Sequence, residues 1–282
     1  MDEPEDIKRT FRSFSFKGAH YRFSGPGGEF LPRTIRRLRG ELERYIHRFP
    51  SFGSSLEPFV DTDKLPFEPP EAALRMHRAS LEIYRETGGE FSVGPMAAVA
   101  GTFAELTIEE VQTAISTSPG EPSHGDTNGR YSEKSPGAGV PVYADIVLSN
   151  GGDIAMLLQR PIFIALFVGP ESPFQDLAFR IDPDGRGRAV CSSSGKMGHS
   201  LSFGSCDLAA VFSRSASLAD AAATALCNSI SSADDLERKL EAALEIDGVE
   251  GAVAVYKDKL GRVGDVPPIV RHGDPELTSK FG

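Results

Sequence analysis

Asp220 and Thr224 stand four residues apart in Ala219-Asp220-Ala221-Ala222-Ala223-Thr224-Ala225, a stretch whose alanines favour a helix. On a helix that spacing sets a carboxylate and a hydroxyl one above the other on one face, which Cys227 and Asn228 continue. A carboxylate and a hydroxyl, with a backbone carbonyl, form the hard oxygen set that Mg²⁺ accepts, with waters or a substrate phosphate completing it. A purely structural reading competes. Ser217-Leu218-Ala219-Asp220 has the form of a capping box, and a first-turn acid suits the helix dipole.

A second grouping is Ser192-Ser193-Ser194-Gly195-Lys196-Met197-Gly198-His199. Successive N–H groups in so small-sided a loop can form an anion nest, with the serine hydroxyls, Lys196 and His199 around a phosphate. The G-x-x-x-x-G-K-[ST] pattern of a Walker loop is missing. A hairpin loop that uses Gly195 and Gly198 for backbone freedom is the plainer reading. Cys191, just before it, reads as a small buried cysteine or as a thiol beside the site. Asn150-Gly151-Gly152-Asp153 is a turn signal first and a candidate site second.

The elements that would position these groups follow from periodicity. Residues 11–23 alternate aromatic and polar types about Lys17-Gly18, as a β-hairpin does. Ile35, Leu38, Leu42, Tyr45, Ile46 and Phe49 recur at helical spacing, opposite a face carrying Arg36, Arg37, Arg39, Glu41, Glu43 and Arg44. That mixed face reads as solvated. A second helix fits 71–86, ending at Gly88-Gly89. Residues 96–104, small-sided after Gly94-Pro95, suit close approach to another backbone, and 109–115 close the first half. Residues 117–139 are Pro, Gly, Ser, Asp and Asn with almost nothing apolar, the composition of a mobile loop or insertion.

Strands fit 144–148, a continuous apolar run at 162–168, a hairpin of 177–181 and 188–191 about Asp182-Pro183-Asp184-Gly185-Arg186-Gly187, and 208–212. Helices fit 218–230 and 233–244. Residues 252–256 and 262–266 pair across Lys257-Asp258-Lys259-Leu260-Gly261. Strands grouped in hairpins with helices between the groups predict an α+β fold with antiparallel sheets.

The 282 residues carry 40% hydrophobic and 25% charged side chains with a net charge of -10. These are globular proportions, and the acidic balance argues against a nucleic-acid partner. Cys191, Cys206 and Cys227 are an odd number without C-x-x-C spacing, unlike a secreted disulfide scaffold. The acidic start, Met1-Asp2-Glu3-Pro4-Glu5-Asp6, lacks the basic and apolar regions of a signal peptide, and no run is long enough to span a bilayer. A cytoplasmic protein without a membrane partner is expected.

Three segments, in order, carry a resemblance to the ApbE-like superfamily, the group containing the FAD:protein FMN transferases. Val93-Gly94-Pro95-Met96-Ala97-Ala98-Val99-Ala100-Gly101 resembles its glycine-rich helix start, and Asn150-Gly151-Gly152-Asp153 its N-x-G-G-D turn. Cys191-Ser192-Ser193-Ser194-Gly195, His199 and Ala219 through Ala225 are similar to T-S-G, H-x-x-D-P and A-D-A-x-A-T-A. The whole chain looks closest to a cytoplasmic branch in which S-L-E-P, V-G-P-M-A-A-V-A-G, N-G-G-D and G-H-S-L-S-F-G occur together.

The resemblance implies one ApbE-like (T-fold-like) domain over 1–282, of two intimately packed halves. It implies Mg²⁺ held by Asp220, Thr224 and the carbonyl of Ala97 or Ala98. FAD or a related nucleotide would lie across Gly151, Gly152, Asp153 and Ser192, Ser193, Ser194, Gly195, with His199 handling a proton. FMN transfer to a hydroxyl of an acceptor protein, with AMP leaving, is the implied activity. Two departures, Ala98 or Val99 where the family has Lys and Ser200-Leu201-Ser202-Phe203 in place of the Asp-Pro, weigh toward two other readings. These are a binding protein without transfer, and an accessory protein of sulfur assimilation in anaerobes, in which Cys191 would matter.

Overall fold

A computed structural model of the chain describes residues 9–60, 65–117, 144–195 and 206–271. The hairpin of β1 (Arg12–Phe16) and β2 (Ala19–Ser24) turns at Lys17 and Gly18, both at positive φ, as a two-residue hairpin turn requires. Helices α1 (Leu31–Arg48), α2 (Pro50–Ser54), α3 (Glu71–Glu86) and α4 (Val99–Thr117) follow, with a 3₁₀ turn Pro95–Ala98 leading into α4. After them come β3 (Ile146–Asn150), β4 (Asp153–Leu157), β5 (Ile162–Ala165), β6 (Leu177–Ile181), β7 (Gly187–Ser193) and β8 (Leu208–Ser213). The remainder is α5 (Ala216–Ser229), α6 (Leu236–Leu244), β9 (Val249–Tyr256), β10 (Lys259–Gly264) and β11 (Ile269–Arg271).

The architecture is α+β, with antiparallel sheets and packed helices. One sheet has eight strands in the order β1-β2-β3-β4-β7-β8-β9-β10, the other three in the order β11-β6-β5. The central strands are covered on both faces. On β8, Ala209 and Val211 face the helices, while Leu208, Ala210 and Phe212 face the cluster shared with the small sheet. Period-two alternation places these two sets on opposite faces. Phe179 of β6 meets Phe212 edge-on, ring centroids 4.9 Å apart. The ion-paired face of α1 keeps its charges outward, with Arg37–Glu41 at 2.8 Å and Arg39–Glu43 at 3.1 Å.

Several expected boundaries move. The run 162–168 is strand only to Ala165, and β5 is an edge strand of the small sheet whose residues are mostly half-buried. Residues 177–181 and 188–191 do not form a hairpin: β6 pairs with β5 and β11, while β7 pairs with β4 and β8. Both edges of each strand are taken, so 182–186 cross between sheets instead of folding one back. Arg214 ties that crossing down, pairing with Asp184 at 2.7 Å and donating to the Gly187 carbonyl at 3.0 Å.

Residues 96–104 and 109–115 join in one helix after the 3₁₀ turn. The last hairpin turns tightly between Tyr256 and Lys259, with Lys257 at positive φ, rather than over five residues. The helix expected from 233 begins as a 3₁₀ turn, Ala233–Asp235, and β11 was not anticipated. Thr117 closes α4; the rest of the expected mobile loop, 118–139, lies outside the described residues.

Candidate functional site

The alanines of α5 do two things. They favour the helix, and they are small enough to bury it almost all round, against β7, β8, α3 and α4. Its N-cap is Ser215, whose hydroxyl accepts from the Leu218 N–H at 3.3 Å. The capping-box reading of Ser217 to Asp220 is therefore corrected. Asp220 lies past the first turn, and its Oδ2 accepts at 2.8 Å from the N–H of Gly101 on α4. It caps a neighbouring helix, not its own. The Ala100 amide also turns toward this carboxylate.

Such closeness depends on Gly101. A Cβ there would stand 2.1 Å from the Ala216 carbonyl oxygen and 2.8 Å from the Asp220 Cβ. Glu105, one turn on, seats the start of α5: its Oε2 accepts from Ser217 N and Ser217 Oγ at 2.9 Å and from Ser215 Oγ at 3.1 Å. Thr102 donates to the Ser217 hydroxyl at 2.9 Å.

The N-G-G-D hairpin reaches the same place. Asn150 Nδ2 donates to the Ala100 carbonyl at 3.2 Å. Asp153, first residue of β4, is buried, and its Oδ1 accepts from Ser192 N at 3.3 Å. Ser192 Oγ donates to the Gly152 carbonyl at 3.2 Å, in space that a Gly152 Cβ would occupy. The Cys191 thiol donates to the Ala216 carbonyl at 3.4 Å and touches the Asp153 carboxylate.

Asp153 and Asp220 thus share one buried neighbourhood with Cys191. Burial pushes the Asp153 carboxyl up to about 7, against the lowering by the Ser192 N–H and the Cys191 thiol. Burial first, and then the Asp153 charge, push Asp220 well above the carboxylate range, against the lowering by the Gly101 and Ala100 amides. Burial and the two carboxylates push the Cys191 thiol up as well, so at neutral pH it is a thiol and not a nucleophilic thiolate.

Of the sequence-derived site residues, Gly151 and Gly152 are exposed at the hairpin tip, Asp153 is beneath them, and Ser192, Ser193, Ser194 and Gly195 are half-buried at the end of β7. Asp220 is buried, and Thr224 is half-buried one turn along α5. Ala97 lies on the 3₁₀ turn packed against α5. His199, with Lys196 to Gly198, lies outside the described residues. Sequence reasoning passed over the amide of Gly101, the Asn150 bridge and Glu105. The glycine inside an otherwise apolar helix start was the available signal for the first.

Asp220 and Thr224 offer oxygens of the type that a hard divalent cation accepts. Two buried carboxylates repel each other, and no lysine or arginine among the described residues pairs with Asp220, so a cation would supply the missing positive charge. No group of three His, Cys, Asp or Glu suited to a metal occurs among the described residues. Any site here relies on hydroxyl, carbonyl and ligand oxygens.

The profile of a family described as AbpE bacteria matches residues 28–119 and 138–258. A UPF0280 protein of Methanocella arvoryzae is 37% identical over 248 residues, 88% of this chain and 85% of the relative. A second, from Methanosarcina barkeri, is 33% identical over 86% of this chain and 81% of its own length. Among solved structures, the apo form of the flavinyl transferase ApbE of Pseudomonas stutzeri aligns with a TM-score of 0.56 at 14% identity, covering 94% of this chain and 95% of that one. The flavin transferase ApbE of Vibrio cholerae aligns with a TM-score of 0.55 over 91% and 96%. At such identities the likeness is one of fold. Among the described residues no helix is long and apolar enough to cross a membrane.

Proposed function

Because the chain belongs to the AbpE bacteria family, whose match spans both buried carboxylates, we propose that it binds a flavin or related nucleotide by its diphosphate, together with a divalent cation at Asp220. The buried Asp153–Asp220 pair carries this reading. Burying two carboxylates within reach of each other's charge is costly without a proton or a cation to neutralise them, and such sites concentrate at functional centres. Thr224 and the carbonyl of Ala97 complete the protein's share of the cation's ligands. A bound Mg²⁺ neutralises charge on a diphosphate and would favour displacement at phosphorus.

The chain's own residues do the positioning. The first amides of α4 orient the Asp220 carboxylate, so it need not reorganise on binding. Ser192 to Gly195 and the exposed glycines of the hairpin lie at two adjacent strand ends. The N–H groups of Gly151, Ser192 and Gly195 are taken by His20, Asp153 and Cys206, so the serine hydroxyls, turned from their present acceptors, are what would meet phosphate oxygens. His199 takes the proton-handling role on the strength of the resemblance. Flavin transfer to a protein hydroxyl is the activity this fold suggests. Binding without transfer is the second reading, favoured by Ala98 or Val99 standing where the family carries a lysine.

Mass spectrometry of the purified protein for co-purifying flavin or nucleotide, before and after incubation with FAD, Mg²⁺ and an acceptor protein, separates these readings. AMP release with a flavinylated acceptor supports transfer, and bound flavin without AMP supports binding alone. Failure of FAD, FMN and ADP each to raise the melting temperature with Mg²⁺ overturns the proposal.

A further inference from the structure

Away from the carboxylates, the face of α5 bearing Cys227 meets the start of β8. Cys206 and Cys227 are both fully buried, 0% exposed, and both are free thiols. The Cys227 sulfur lies 3.9 Å from the Cys206 carbonyl oxygen, and the two thiols interact electrostatically. The two sulfurs differ in surroundings. The Cys206 Sγ faces two carbonyl oxygens, Leu208 at 3.1 Å and Val255 at 3.3 Å, as well as the Cys227 sulfur. The Cys227 Sγ meets the Cys206 thiol, the Ser193 hydroxyl and the Gly195 amide, and its own thiol faces the Cys206 carbonyl. That amide gives its main bond to the Cys206 carbonyl, at 2.9 Å. Cys191 stands apart, on Asp153 and Ala216.

From this arrangement we propose that Cys206 and Cys227 form a redox-active dithiol, closing to a disulfide with a peroxide as oxidant. Donors converging on one sulfur are what makes a thiol a nucleophile. The interaction with Cys206 holds the Cys227 thiol below its ordinary range, opposed by burial and helped by Ser193 and Gly195. The Cys206 thiol is raised, by its interaction with Cys227 and by burial.

The Cys227 thiolate attacks the peroxide O–O bond, giving a sulfenic acid and hydroxide. Hydroxide takes the Cys206 proton and leaves as water. The Cys206 sulfur then attacks the Cys227 sulfur, the S–S bond forms, the S–O bond breaks, and the departing hydroxide leaves as a second water once protonated. Two electrons leave the sulfurs, and the peroxide becomes two waters. Ser193 and Gly195, which touch the Cys227 sulfur, are themselves half-buried.

Closure removes the sulfur acceptor that Ser193 and Gly195 face. If the proposed function holds, the dithiol thereby adjusts the loop assigned to phosphate, although the sulfur chemistry does not depend on it. The test is non-reducing peptide mapping of the full chain after hydrogen peroxide, with intact mass and circular dichroism. The expected result is loss of two hydrogens, one Cys206–Cys227 crosslink, Cys191 still alkylatable, and reversal by dithiothreitol. In Cys206→Ser, Cys227 should be trapped by dimedone as a sulfenic acid. A folded wild-type protein whose two thiols stay reduced, or whose crosslink involves Cys191, overturns the proposal. A crosslink without any flavin binding would sustain it while refuting the functional reading.

Discussion

Replacing Asp153 by Asn separates charge from shape at the centre of the site. The Asp153 carboxyl rises from 3.8 to about 7 through burial. Below pH 3.8 both folded and unfolded chains hold this proton. Between 3.8 and about 7 only the folded chain does, and above that the folded chain carries the buried charge. The stability contribution is thus fully present at low pH and is lost as pH rises through about 7. The shift corresponds to about 4 kcal/mol at most. Asn keeps an oxygen for the Ser192 N–H, which Asp153 accepts at 3.3 Å. It also lifts the charge that raises Asp220. Asp153→Asn should therefore gain more over the wild type at pH 8 than at pH 5, by up to about 4 kcal/mol against up to about 2 kcal/mol. Urea unfolding at both pH values, in chelator-treated buffer so that no cation screens the pair, measures this. Equal destabilisation at both pH values would refute the reasoning, because the carboxylate would then contribute only hydrogen bonds.

Asp220→Asn should abolish the Mg²⁺-dependent rise in melting temperature seen with FAD, with Thr224→Val weakening it, while metal-free melts stay close to the wild type. Equal shifts in all three proteins would leave Asp220 a cap for α4 and nothing more. Gly101→Ala should cost more than about 3 kcal/mol in urea unfolding, since the new Cβ meets backbone at 2.1 Å. Gly151→Ala should cost only about 1–2 kcal/mol, because its φ is positive but nothing lies within 4 Å. Glu105→Ala removes the acceptor for Ser215 Oγ, Ser217 N and Ser217 Oγ and should cost about 2 kcal/mol or more, read from the same unfolding curves.

Local pattern carried much of the fold. The α1 and α3 helices follow from 3.6-residue periodicity with their proline and glycine boundaries, and the first hairpin from Lys17-Gly18 between alternating aromatics. These depend on neighbours within a few residues, which a sequence displays directly. Strand partnership does not. Asp182 to Gly187 reads as a turn, yet β6 and β7 part into different sheets because each finds both its partners elsewhere in the chain. The site divides the same way. The family resemblance of N-G-G-D, the serine loop and A-D-A-A-A-T-A, more than spacing, marked Asp153, Ser192 and Asp220 as candidates. Only tertiary structure put Asp220 beneath the amides of α4, Asp153 close enough to raise its pKa, and Cys227 against Cys206. A capping motif specifies hydrogen bonds within one helix, whereas the charge a carboxylate feels depends on every element packed around it, and that is decided by long-range burial.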